Sequence, residues 1–136
     1  MTLPDTIRSE LRALLGRAHC PYSRFPVAVI IRGSGGTLFR GVNVESAAFP
    51  SGLCAEKAAL GAAVTSLGSV LDVTTIWIAT PTEIPTPPCG SCRQLLWELA
   101  PNAEVVSWAV QSDTARSWSV AELMPEAFDL DVEPSE

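Results

Sequence analysis

The sequence predicts an α/β fold: a five-stranded mixed sheet with helices on both faces. Three observations carry that expectation. Helical and extended runs alternate in the order helix, hairpin, helix, strand, helix, strand, strand, and the extended runs are short and set off by turn residues. The third observation is size. A chain of 136 residues, 47% hydrophobic and 18% charged, matches one globular domain with room for a real core. That domain is expected to occupy residues 1–128, with 129–136 an acidic tail that frays.

Each element has its own signal. Residues 5–18 put Ile7, Leu11, Leu14, Leu15 and Ala18 on one stripe, which predicts an amphipathic helix ended by Pro21. Extended runs at 27–32 and 38–44 flank Gly33, Ser34, Gly35 and Gly36, the pattern of a hairpin. Pro50 and Gly52 break the segment 43–53 into a loop. Residues 54–67 are rich in Ala and Leu and predict a helix stopped by Gly68. The run 74–79 is a buried strand by its β-branching, and the four prolines between 81 and 88 force a loop. A helix over 89–99, closed by Pro101, precedes strands at 104–108 and 116–120 with a turn at 111–114 between them. Ser119 or Val120 opens a last short helix, limited by Pro125.

Charge narrows the function. The net charge is −6, yet residues 1–120 hold nine bases and nine acids, so the whole excess lies in Glu122, Glu126, Asp129, Asp131, Glu133 and Glu136. A neutral body lacks the basic footprint of a polynucleotide binder, so no nucleic acid partner is expected. No run reaches the roughly 18 apolar residues of a membrane span, and the polar residues 1–10 do not read as a targeting signal. A cytoplasmic protein with no membrane partner is the expectation.

In such a setting four cysteines read as metal ligands, catalytic groups or buried thiols rather than as disulfides, and His19 is the one histidine. Cys54 opens one predicted helix, while Cys89 and Cys92 share the first turn of another. Residues three apart on a helix face the same way, so the three sulfurs can converge between two helix N-termini, where negative charge is favoured. Three protein ligands leave a zinc position open for a water that the metal acidifies, the mark of a catalytic site. Glu56, two residues beyond a ligand, is placed to carry protons for that water. The same pattern, with three cysteines and a non-ligating glutamate, is known for zinc deaminases generally. The rival is a closed, structural zinc module, but its candidate fourth ligands are poor: Cys20 reads as a small buried residue and His19 as a helix-end surface residue.

The chain resembles the small, single-domain cytidine deaminases over roughly residues 18–128. The resemblance lies in Pro21-Tyr22-Ser23-Arg24-Phe25-Pro26-Val27, Gly41-Val42-Asn43-Val44-Glu45, Gly52-Leu53-Cys54-Ala55-Glu56, Pro88-Cys89-Gly90-Ser91-Cys92-Arg93-Gln94 and Glu122-Leu123-Met124-Pro125-Glu126-Ala127-Phe128. It implies a three-layer fold, one Zn2+ per chain on Cys54, Cys89 and Cys92, Glu56 as catalytic proton carrier, and a small nucleoside as substrate. It further implies that Asn43 and Glu45 bond the ribose 3′-hydroxyl and that Ala55 lies among the substrate contacts. Phe25 and Phe128 pack around the pyrimidine, Phe128 reaching in from a neighbouring subunit of a homotetramer. Arg93 and Lys57 offset the surplus thiolate charge. The expected reaction is deamination of cytidine or deoxycytidine to uridine or deoxyuridine and ammonia, a pyrimidine salvage step. A relative acting on a modified cytosine nucleoside, of the aminoacyl-nucleoside antibiotic type, is the nearest alternative, and Glu45 weighs against it. Four departures bear on specificity: Lys57 where the family usually has Arg, Ala28-Val29 for Gly-Ala, Ser46 for Asn and Phe49 for Tyr.

Overall fold

The computed structural model describes residues 2–130. Five strands form one sheet in the order β2-β1-β3-β4-β5. They are β1 (Ala28–Gly33), β2 (Leu38–Val42), β3 (Val73–Thr80), β4 (Glu104–Ala109) and β5 (Thr114–Ser119). β3 and β4 run parallel, and every other neighbouring pair is antiparallel, so the sheet is mixed as expected. The helices are α1 (Asp5–Leu15), α2 (Ala55–Leu67), α3 (Gly90–Leu99) and the single turn α4 (Val120–Leu123). A parallel pair cannot be joined by a tight turn, and the proline-rich loop with α3 supplies the crossover from β3 to β4.

Side-chain alternation divides the core between the two faces of the sheet. On one face Val29, Ile31, Ile76, Ile78 and Val105 pack with Ala59 and Leu60 of α2, Leu96 of α3 and Val120 and Leu123 of α4. On the other, Ala28, Ile30, Trp77, Val106 and Trp108 meet Leu3 and the α1 stripe Ile7, Leu11 and Leu14. Helices thus cover both faces, in three layers.

One close approach fixes how α2 lies on the sheet. A Cβ at Gly41 of β2 would overlap the Ala55 carbonyl oxygen and the Ala59 amide nitrogen. Backbone cannot yield as a flexible side chain does. Gly41→Ala is therefore expected to cost at least about 1–3 kcal/mol, the usual range for overpacking, read as a lower Tm in thermal unfolding. α2 ends where the sequence predicts, at Gly68, whose φ of 82° suits only a residue without a side chain.

Three boundaries differ from expectation by two residues or more, the first two because a tertiary bond outcompetes a local preference. α1 stops at Leu15, not at residue 18, since His19 pairs instead with the loop after β2: its N–H donates to the Asn43 carbonyl (3.0 Å), and its carbonyl accepts from the Glu45 N–H (2.7 Å). β2 stops at Val42, not at 44, because Val44 leaves to bridge His19 and Leu53. β5 begins two residues early, at Thr114, and yields at Ser119 to α4, whose first turn Ser119 caps by accepting from the Glu122 N–H (3.1 Å). Of the expected tail, Asp129 and Leu130 are exposed and without regular structure, and 131–136 lie outside the described residues.

Candidate metal and active site

The topology collects chain ends at one edge of the sheet. β1 begins, β2 ends and β3 ends at the same side, because β1 is antiparallel to both of its neighbours. α2 and α3 begin there as well. A cavity of about 230 Å³ opens among these ends. Cys54, Ala55 and Glu56 line it from α2, Cys89 from the start of α3, and Ile78 and Thr80 from β3. Phe25, Val27 and Asn43 close one side, and Thr86, Pro87 and Pro88 of the proline-rich loop close the other.

Cys54 and Cys89 occupy the N-cap positions of α2 and α3, and neither side chain caps its helix with a hydrogen bond. Both sulfurs are left for other work. With Cys92, one turn into α3, their sulfurs lie within 4.8 Å of one another. Zn–S bonds of about 2.3 Å in a tetrahedral site would set the sulfurs about 3.8 Å apart, so small adjustments suffice to close all three around one ion. Among the described residues no other His, Cys, Asp or Glu joins this group. Cys20 stays outside it, and is half-buried rather than fully buried as expected, while His19 is exposed.

Without metal, the three sulfurs differ in how readily they ionise. Burial pushes the Cys54 thiol up, as do the nearby Cys89 and Glu56 charges. Burial pushes Cys92 up much further, with Glu56 adding to it. Burial opposes ionisation of Cys89 too, but bonds from the Cys92 amide and thiol and from Cys54 outweigh it, and Cys89 is pulled below its ordinary value. Three thiolates so crowded need a compensating divalent ion, and thiolates are soft ligands that suit zinc.

Glu56 is 6% exposed, and its Oε2 accepts from the Cys92 thiol at 3.5 Å. Burial raises its carboxyl above the ordinary range, against the Cys92 thiol and the Lys57 charge, which lower it. A carboxyl in that environment exchanges a proton nearer neutrality than a solvated one. It borders the cavity beside the sulfurs without being part of their cluster.

The other expected site residues divide into those at the cavity and those beside it. Asn43 faces the cavity but is also a brace: its Nδ2 donates to the Phe25 carbonyl (2.8 Å), and its Oδ1 accepts from the Val27 N–H (2.9 Å). Glu45 borders an adjoining depression with Asn43, Phe49 and Cys54. Its Oε1 accepts from the Tyr22 and Ser23 amides (3.1 and 3.0 Å), and the Ser23 hydroxyl donates to its Oε2. Those Ser23 and Tyr22 bonds, the hydroxyl foremost, hold the carboxyl below its ordinary range. Phe128 is 68% exposed and is not among the cavity-lining residues. Arg93 is turned to backbone, its Nε donating to the Pro88 carbonyl (2.7 Å) and a terminal nitrogen to the Leu123 carbonyl (3.2 Å). Lys57 Nζ donates to Ser91 Oγ at 2.7 Å, tying the first turns of α2 and α3 together. Of the four departures, Ala28 points into the α1 face, away from the cavity, and Phe49 is 77% exposed with its ring edge-on to Tyr22. The cavity wall of Thr80, Thr86 and Pro87 was not expected from the sequence. Nothing in the local pattern marks Thr80 as more than the end of a strand, or Thr86 and Pro87 as more than loop.

A family model for the cytidine and deoxycytidylate deaminase zinc-binding region matches residues 5–108. The chain belongs to that family. Among relatives, it is similar to the cytidine deaminase of Halalkalibacterium halodurans, with 37% identity over 123 residues covering 90% of each chain. The cytidine deaminase of Mycoplasma pneumoniae is 30% identical over 125 residues, 91% of this chain and 92% of the relative. Among solved structures, the cytidine deaminase of Burkholderia pseudomallei superposes with a TM-score of 0.84 at 34% identity, covering 93% of this chain and all of that one. The family region takes in all three cysteines and Glu56, and the solved structure matches the sheet and both layers of helices. Zinc is accordingly the cofactor of this fold, and the three-sulfur cluster fits it.

Proposed function

We propose that the protein deaminates cytidine or deoxycytidine by hydrolysis, giving uridine or deoxyuridine and ammonia. The observation that carries this reading is the convergence of three thiols at two helix N-termini, two of them lining a cavity that a buried carboxyl also lines. Cys54, Cys89 and Cys92 hold the metal. Zinc bound there would acidify the attacking water. Glu56 takes a proton from the attacking water at its carboxylate and delivers it to N3 of the pyrimidine; it then takes a second proton, from the hydroxyl newly bonded to C4, and delivers that one to the departing amino group, which leaves as ammonia. Being buried, it does this work away from bulk water, where its charge acts at full strength.

The remaining residues orient the substrate. Phe25 and Ala55 border the space for the base. Asn43 and Glu45 meet the sugar, and polar groups built for a hydroxyl discriminate against substrates that lack it. Glu45 is already held as a carboxylate by Ser23 and Tyr22, so it presents an acceptor. Phe128 completes a neighbouring subunit's site in a homo-oligomer, expected to be a tetramer. Its exposure, with that of Tyr22, Val44, Phe49 and Leu53, favours such an assembly. Arg93 and Lys57 lend positive charge to the thiolate centre, Lys57 at shorter reach in specificity than an arginine fork would have. Four free thiols suit a reducing cytoplasm. No helix among the described residues is long and apolar enough to cross a membrane.

The test is a nucleoside panel with metal analysis. Loss of cytidine absorbance with one ammonia per nucleoside, from protein holding one zinc per chain, is the expected result. Zinc-loaded protein that turns over neither cytidine nor deoxycytidine overturns the proposal. Sedimentation reports the assembly separately.

A further inference from the structure

The loop at 81–88 joins β3 to the Cys89 end of α3 and walls one side of the cavity, yet it has no regular structure of its own. The reason is chemical. Pro81, Pro85, Pro87 and Pro88 have no N–H, so the segment is rich in carbonyls and poor in donors. Most of its donors arrive from outside. The Pro81 carbonyl accepts from Gln111 Nε2 (3.0 Å), that of Thr82 from the Gln111 N–H (3.1 Å), and that of Glu83 from the Ser112 hydroxyl (2.6 Å). Ile84 O takes the Thr82 hydroxyl (2.8 Å), and Pro88 O takes Arg93 Nε (2.7 Å).

Among the described residues, the one donor that reaches this loop from inside the sheet is Ser107. Its hydroxyl donates to the Thr86 carbonyl at 2.7 Å, and the residue is fully buried. Ser107 sits opposite Ile78 in the parallel β3–β4 register, and Ile78 itself lines the cavity. It is a polar residue on a face otherwise filled by Val105 and its apolar neighbours. A buried hydroxyl there has one evident partner. It fixes the loop three residues before Cys89, at the residue that begins the cavity wall.

We propose that Ser107 is a positioning residue, which acts through Thr86 to hold the Thr86–Pro87–Pro88 wall and the Cys89 thiol in place for metal and substrate. The proposal rests on the metal-site reading above. It requires that loosening this one bond be felt as faster metal loss rather than as a general loss of stability.

The experiment measures zinc transfer from the loaded protein to a chromophoric chelator, for wild type, Ser107→Ala, Ser107→Thr and Val106→Ala. Val106 is the adjacent residue of the same strand but faces α1, so its truncation weakens the fold without touching the loop. Ser107→Ala is expected to release zinc about fivefold faster than wild type, the weight of one neutral buried hydrogen bond, and to raise KM for cytidine. Val106→Ala should lower Tm and leave the release rate unchanged. Ser107→Thr, which keeps the hydroxyl, should release zinc more slowly than Ser107→Ala. Equal release from Ser107→Ala and Val106→Ala overturns the proposal, as does release from Ser107→Thr as fast as from Ser107→Ala when both melt like wild type. Failure of wild type to hold zinc at all would instead overturn the metal-site reading, so the two failures are separable.

Discussion

Glu56→Ala is expected to lower kcat for cytidine by about two to four orders of magnitude, the usual weight of a positioned acid–base group, while zinc stays at one per chain. The side chain is buried beside the cluster but is not one of its three members, so removing it takes away proton transfer and leaves the ligands intact. Glu56→Gln sharpens the test. Glutamine keeps the volume and the hydrogen-bonding reach but cannot carry a proton, so its kcat should fall as far as that of alanine, with KM little changed. Stability should move the other way. A carboxyl pushed upward by desolvation is a destabilising residue when ionised, and its neutral replacement in the metal-free protein should melt no lower than wild type near neutral pH. A glutamine variant retaining more than a tenth of the wild-type kcat would show that the proton travels by another route.

Much of this arrangement was legible from residues alone. The two-sided core followed from the apolar stripe of α1 and from the strand runs, because burial periodicity is a local property. The cluster of three cysteines was legible because two of them sit at N-cap positions that carry their own marks, Pro50 and Gly52 before Cys54 and Pro88 directly before Cys89, and because Cys92 follows Cys89 at helical spacing. What escaped was set by partners distant in sequence. His19 leaves its helix for a bond to Asn43, and no feature of residues 16–20 announces that choice. Asn43 reads as a sugar contact from the resemblance, whereas its amide also joins the entry of β1 to the exit of β2. Arg93 was expected to offset thiolate charge, yet its guanidinium spends two donors on backbone carbonyls, a use invisible until α4 and the loop are placed beside it. Four of the bonds that hold the proline-rich loop come from Ser107 on β4 and from Gln111 and Ser112 in the turn after it, twenty or more residues downstream.

Cys89→Ser is expected to abolish stable zinc binding and, with it, measurable deamination. Cys89 is the most instructive of the three ligands to replace because its two jobs separate. As the N-cap of α3 it has an extended backbone and no side-chain capping bond. Serine is among the best N-cap residues, so the helix start loses nothing and gains an available acceptor. As a ligand, however, a neutral hydroxyl is a poor substitute for a thiolate on zinc. Fold and metal affinity therefore move in opposite directions, which the same change at the fully buried Cys92 would not allow. The readout is the dependence of Tm on metal. A ligand that binds only the folded chain stabilises it, by about 2.7 kcal/mol at a free concentration one hundred times Kd, so wild-type Tm should rise with added zinc and fall with chelator. Cys89→Ser should melt close to metal-free wild type and respond to neither. Cys20→Ser, outside the cluster, should keep the full zinc response. A serine variant whose Tm still climbs with zinc as steeply as that of wild type would mean that Cys54 and Cys92 hold the ion without Cys89, and the three-thiolate centre would have to be redrawn.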